Sequence, residues 1–129
     1  MKIAICLGSN DKGDHVSCDR GLESIREHIC DHYDTDIYFH TWSTGSEDEL
    51  IEKYQPTNHI VESQIEFDNG NKSKKHSVYS RWYSFARSIE VLTRSNQSYD
   101  FVLACRFDLV LLNKFLNFET LNNNNFFIT

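Results

Sequence analysis

The chain predicts an α/β fold of three layers, a mostly parallel sheet with flanking helices. Three observations carry that prediction. Short apolar runs of strand length recur along the chain, and between them lie stretches whose apolar residues return every three or four positions. Each apolar run ends in glycine or in a cluster of polar residues, as a strand entering a loop does. The resulting order of strand, helix, strand, helix, strand, helix, strand is the pattern of crossover units that build a parallel sheet covered on both faces.

Lys2 to Leu7 reads as a buried first strand bounded by Gly8, Ser9 and Asn10. A loop to about His15 precedes a helix, on which Cys18, Leu22, Ile25, Ile29 and Tyr33 form one apolar stripe. Asp36 to Trp42 is a second, aromatic strand, and Glu47 to Tyr54 is a short acidic helix that stops before Pro56. His59 to Phe67 is read as a third strand, and Asp68 to Ser77 as a polar loop holding the densest basic cluster, Lys72, Lys74 and Lys75. Val78, Trp82, Phe85, Ile89 and Leu92 then form the strongest apolar stripe of the chain, which predicts a helix with those residues in the core. Phe101 to Cys105 is the last clear strand. Leu109 to Phe118 is expected to leave the sheet edge, Asn122 to Asn125 to turn, and Phe126 to Ile128 to begin a further apolar strand that could pair with another chain.

With 129 residues, the chain is expected to form one domain over 1–129, incomplete at the C-terminus because it stops inside an aromatic run. A hydrophobic share of 40% is enough for a real core and excludes a disordered tail. A net charge of −6, with no basic stripe, argues against a nucleic-acid partner. The first apolar stretch, Ile3 to Leu7, is too short for a signal segment or a membrane span, so a cytoplasmic location is expected. Cys6, Cys18, Cys30 and Cys105 contain no C-x-x-C pair and read as reduced thiols.

Ligands of open α/β sheets bind beyond the carboxyl ends of the strands. Three segments should therefore converge there: Gly8 to Asn10, His40 to Ser43, and Arg106 to Asp108. Gly8, Ser9 and Asn10 offer backbone N–H groups and small polar side chains suited to a phosphate or nucleotide, although neither G-x-G-x-x-G nor a P-loop is present. His40 and Trp42 could stack on a base, or could be plain core aromatics. Arg106 and Asp108 combine a fixed cation with a hard oxygen donor, a pairing suited to a metal-bound diphosphate, or they could simply pair with each other. His28 and His32 have i, i+4 spacing but lack recognisable further zinc ligands. Arg81 and Arg87 could reach an anion if their helix packs over the site. Cys105 with His40 is a conceivable nucleophilic pair that rests on no motif.

Taken together, MKIAICLGSN, DIYFHTWS, Tyr54-Gln55-Pro56, WYSFARSIEVL and YDFVLACRFDL resemble the N-terminal half of a GT-A-like glycosyltransferase family of lipopolysaccharide and capsular polysaccharide biosynthesis. The resemblance implies a Rossmann-like half-domain that binds a nucleotide-sugar donor through a metal-bridged diphosphate. It implies that Asp108 is the metal-side carboxylate, holding Mn or Mg, that Arg106 stands where the broader Asp-x-Asp pattern has its first acid, and that Gly8, Ser9 and Asn10 line the nucleotide. It also implies a glycan or lipid-linked acceptor, whose binding half would lie beyond Thr129. A non-catalytic remnant or interaction module of the same fold is the alternative expectation. A different nucleotide-using α/β enzyme is a third.

Overall fold

In a computed structural model, residues 1–8, 15–67 and 74–112 are described. Four strands, β1 (Lys2–Gly8), β2 (Asp34–Trp42), β3 (Asn58–Glu62) and β4 (Phe101–Arg106), form one sheet in the order β3-β2-β1-β4. Every neighbouring pair is parallel. Helix α1 (His15–Ile25), continued by a π turn over Arg26–Cys30, links β1 to β2. Helix α2 (Glu47–Tyr54) links β2 to β3, and α3 (Lys74–Arg94) returns the chain from β3 to β4. The expected α/β class is the one observed. Ser9, Asn10, the Lys72 loop and the whole segment from 113 onward, including the expected strand at Phe126 to Ile128, lie outside the described residues.

Parallel strands need long crossovers, and the crossovers cover both faces of the sheet. On one face Ile3, Ile5, Leu7, Phe39 and Cys105 pack against Cys18, Leu22, Ile25 and Ile29 of α1 and Leu50 and Tyr54 of α2. Phe107, fully buried, and Leu111 close the end of that core. On the other face, Ala4, Cys6 and Tyr38 meet Val91 and Leu92 of α3. The predicted α1 stripe is thus the buried one, and the π turn keeps Ile29 in it by donating Asp31 N–H to the Arg26 carbonyl at 2.9 Å.

Two expectations are corrected here. The third strand ends at Glu62 rather than continuing to Phe67, because its carboxylate is held by α3 and the chain then leaves the sheet, with Phe67 packing on Trp42 and Tyr83. Of the apolar stripe of α3, Leu92 meets the sheet and Phe85 is half-buried, but the rest of the stripe is not the inward face. Ser84 and Ser88 are buried, whereas Val78, Trp82 and Ile89 are exposed, Trp82 by 68%. Small residues let the helix backbone come close: a Cβ on Gly8 would lie 3.1 Å from backbone atoms of Ser84 and Phe85. Close approach over Gly8 has decided which side of α3 faces inward.

Candidate functional site

The strand order changes direction between β1 and β4, since β2 and β3 lie to one side of β1 and β4 to the other. In open α/β sheets ligands bind at such a switch point, outside the carboxyl ends of the strands. Gly8 and Arg106 are register partners there, side by side at the ends of their strands. Past Arg106 the chain turns through Phe107 and Asp108. Phe107 anchors the turn: its ring is buried against Phe39 and Tyr54, and its carbonyl accepts a hydrogen bond from the Tyr54 hydroxyl at 3.2 Å. Leu111 N–H donates to Ser24 Oγ at 3.0 Å and ties the outgoing chain to α1.

The structure brings Arg106 and Asp108 together. Arg106 Nε donates to Asp108 Oδ1 at 2.9 Å and Nη2 to Oδ2 at 2.8 Å, a two-point pair. The side chains are 44% and 33% exposed, so the pair sits in solvent and contributes little to folding, roughly 0–1 kcal/mol. It is cheap to open. An anion arriving at the edge can take the guanidinium and leave both carboxylate oxygens free for a cation.

Among the described residues, Asp108 supplies a carboxylate beside Gly8 and Arg106 at this edge. No cluster of three or more His, Cys, Asp and Glu gathers among the described residues, His28 and His32 included. A divalent ion of the Mg type is often held by one or two carboxylates together with substrate phosphates and water, and Asp108 fits that role.

His40 and Trp42 are placed differently from a base-stacking rim. Both lie under α3 and are buried, at 0% and 1% exposure, and Trp42 stacks on Tyr83 with ring centroids 5.4 Å apart. Neither ring offers a face to solvent. His40 Nε2 lies 2.8 Å from Glu62 Oε1 and Nδ1 lies 2.7 Å from Ser84 Oγ. A carboxylate only accepts, so Nε2 carries the proton and Nδ1 accepts from the serine hydroxyl. Glu62 also accepts from Arg87 Nε at 3.2 Å and from the Tyr83 hydroxyl at 3.3 Å. Burial pushes the His40 imidazole below its ordinary range, against the pull of Glu62. For Glu62, burial works upward, but hydrogen bonds from Arg87, His40 and Tyr83 together hold the carboxyl below its ordinary value.

The sequence of hydroxyl, imidazole and carboxylate has the form of a nucleophilic relay. Ser84 and His40 are fully buried, so this set joins β2, β3 and α3 as a clamp. Arg87 finds its anions within the chain, in Glu62 and Glu90. Arg81 is exposed. Cys105 belongs to the opposite face of the sheet from His40, and burial raises its thiol to about 12, which removes the proposed Cys–His pair.

The loop after β2 is also taken up internally. Glu47 accepts from Ser43 Oγ at 2.8 Å and from the backbone N–H groups of Thr44 and Gly45 at 3.1 and 2.7 Å. Those amides serve the chain's own carboxylate. Glu62, Tyr83 and Ser84 had no motif to mark them. The available signals were that Glu62 ends an apolar run as Arg106 does, and that Ser80, Ser84 and Ser88 make a small-residue stripe opposite the apolar one. The strand ends leave one open polar edge among the described residues, around Gly8, Arg106 and Asp108. Compared with known protein families, curated proteins and solved structures, the chain matches none.

Proposed function

We propose that the chain is a glycosyltransferase-like domain of the GT-A type that binds a nucleotide-sugar donor at the carboxyl edge of β1 and β4, in the cytoplasm. The observation that supports this reading most is the register of Gly8 with Arg106 at the switch point, followed two residues on by the half-exposed Asp108. Gly8 would face the donor, and the resemblance assigns Ser9 and Asn10, next in the sequence, to the nucleotide. Arg106 exchanges Asp108 for a donor phosphate, and Asp108 then serves Mn or Mg, which neutralises the diphosphate when bound. The sugar's acceptor, a glycan or a lipid-linked one, would be met by residues other than these.

The test is calorimetric titration with nucleoside diphosphates and sugar nucleotides, with and without Mn or Mg. Metal-dependent binding is expected in the native chain. In Asp108→Asn that dependence should disappear, while circular dichroism stays unchanged because the side chain is at the surface. Unchanged metal-dependent binding in the variant would overturn the assignment.

A second reading, a non-catalytic interaction module of the same fold, is favoured by one observation. Val78, Trp82, Ile89 and Val102 expose apolar surface on α3 and β4. A folded sample with no nucleotide affinity would select it.

A further inference from the structure

β4 is an edge strand. It pairs with β1 on one side, and among the described residues no strand lies on its other side. Beyond Arg106, residues 107–111 turn onto α1, where Leu111 N–H is bonded to Ser24. An edge presents a row of backbone N–H and C=O groups ready to pair, and folded chains commonly guard it with a charge, a proline or a bulge. Phe101 to Cys105 has neither charge nor proline, and its register with β1 runs unbroken from Phe101 to Arg106. Val102 is 49% exposed and Ala104 is exposed beside it, on the face that carries α3.

Charge stands only at the two ends of this segment, with opposite sign. Asp100 precedes the strand: its N–H donates to the Lys2 carbonyl and its Oδ2 accepts from the Lys2 N–H, both at 2.8 Å. Arg106 ends the strand and spends Nε and Nη2 on Asp108, which leaves Nη1 outside that pair. Both residues are exposed. The backbone bond to Lys2 continues the ladder to Asp100, so alternation puts Asp100, Val102, Ala104 and Arg106 on one face.

We propose that β4 pairs antiparallel with β4 of a second copy of this chain, about a two-fold axis normal to the sheet and centred on Leu103. Such an axis keeps the α3 face on the same side in both copies, so residues of like parity oppose each other. Centred on Leu103, Asp100 of each copy opposes Arg106 of the other, and Val102 opposes Ala104. Centred on Ala104, Asp100 would oppose Asp108 and Val102 would oppose Arg106. Centred on Val102, Asp100 would oppose Ala104 and Arg106 would oppose Ser98. Of these, the Leu103 register alone matches opposite charges and keeps apolar residues against apolar ones. On the α1 side it sets Leu103 against Leu103 and Phe101 against Cys105, and it covers Phe101 and Leu103, which a single copy buries only in part. A second copy is favoured over an unrelated peptide because the order of charges along this strand is its own complement. The pairing is independent of the donor-binding reading.

Sedimentation equilibrium of the native chain over a concentration series should show a reversible dimer. Asp100→Arg and Arg106→Asp each set like charges opposite one another twice per dimer, and each should weaken self-association about tenfold or more. Mixed in equal amounts, the two variants should associate again as a heterodimer, because one strand then carries arginine at both ends and the other aspartate. Circular dichroism checks that both are folded. If either is not, Val102→Lys, at an exposed position beside the axis, gives the same reading and should dissociate the dimer. A native chain that stays monomeric, the outcome expected if the segment from 113 onward covers this edge, would overturn the proposal. A dimer that none of these variants weakens would place the interface elsewhere and overturn it as well. Folded charge variants that dissociate yet fail to associate on mixing would overturn the Leu103 register, and the proposal with it.

Discussion

Gly21→Ala sets two effects of opposite sign against each other. Gly21 lies inside α1, where alanine is worth about 1 kcal/mol more helix stability than glycine. A Cβ at this position would lie 2.3 Å from the Phe107 carbonyl oxygen and 3.0 Å from that of Leu109. The first distance is about 1 Å short of an ordinary contact, and both obstacles are backbone, which cannot rotate away. The turn that carries Asp108 must therefore retreat from α1. Retreat strains the hydrogen bonds from Tyr54 to Phe107 and from Leu111 to Ser24, each worth roughly 1 kcal/mol, and loosens the packing of Phe107. Overpacking of this kind costs about 1–3 kcal/mol on its own. Against the gain in propensity, we expect a net loss of about 2 kcal/mol. Urea unfolding followed by circular dichroism should show a lower midpoint at unchanged slope. A variant as stable as the native chain, or more stable, would refute the close packing of residues 107–111 on α1. The position of Asp108 would then need another account.

Two further predictions concern the clamp under α3. Glu62→Ala leaves the buried His40 Nε2–H without its acceptor and should cost about 2 kcal/mol in the same unfolding measurement, whereas a cost under about 0.5 kcal/mol would show that the clamp does not hold α3 to β3. The pH dependence follows from His40, whose folded value is lowered from 6.5, with Glu62 and Arg87 as its charged neighbours. Between the folded and unfolded values the unfolded chain binds more protons, so this residue lowers stability as pH falls below about 6.5. Unfolding at a series of pH values should show that slope in the native chain and less of it in His40→Gln; parallel curves would refute the assignment.

Much of the fold was legible from apolar runs and spacings. A parallel strand buried on two faces must be nearly all apolar, which made Lys2 to Leu7 plain; the apolar run Phe101 to Cys105 marked β4, although as an edge strand it exposes Val102 and Ala104; and the stripe from Cys18 to Ile29 identified the inward side of α1. The end of β3 was not legible, because the reason for it lies in α3: Glu62 is held by Tyr83, Arg87 and His40, residues distant in sequence. The inward face of α3 was misread for a related reason, except at Leu92, which is buried as expected. Periodicity reports which residues are apolar, and the helix turned its serines inward because Gly8 admits a close approach.

The candidate site divides in the same way. The sequence by itself determined that a cation and a carboxylate two residues apart follow an apolar strand, which the structure places half-exposed at the sheet edge. Only the tertiary structure decided that Gly8 stands beside Arg106, that Arg106 and Asp108 hold each other while exposed, and that His40 and Trp42 are enclosed while Trp82 is open. Those outcomes depend on register, strand order and the roll of a helix. Each is fixed by contacts between residues far apart in the chain, which no local pattern encodes.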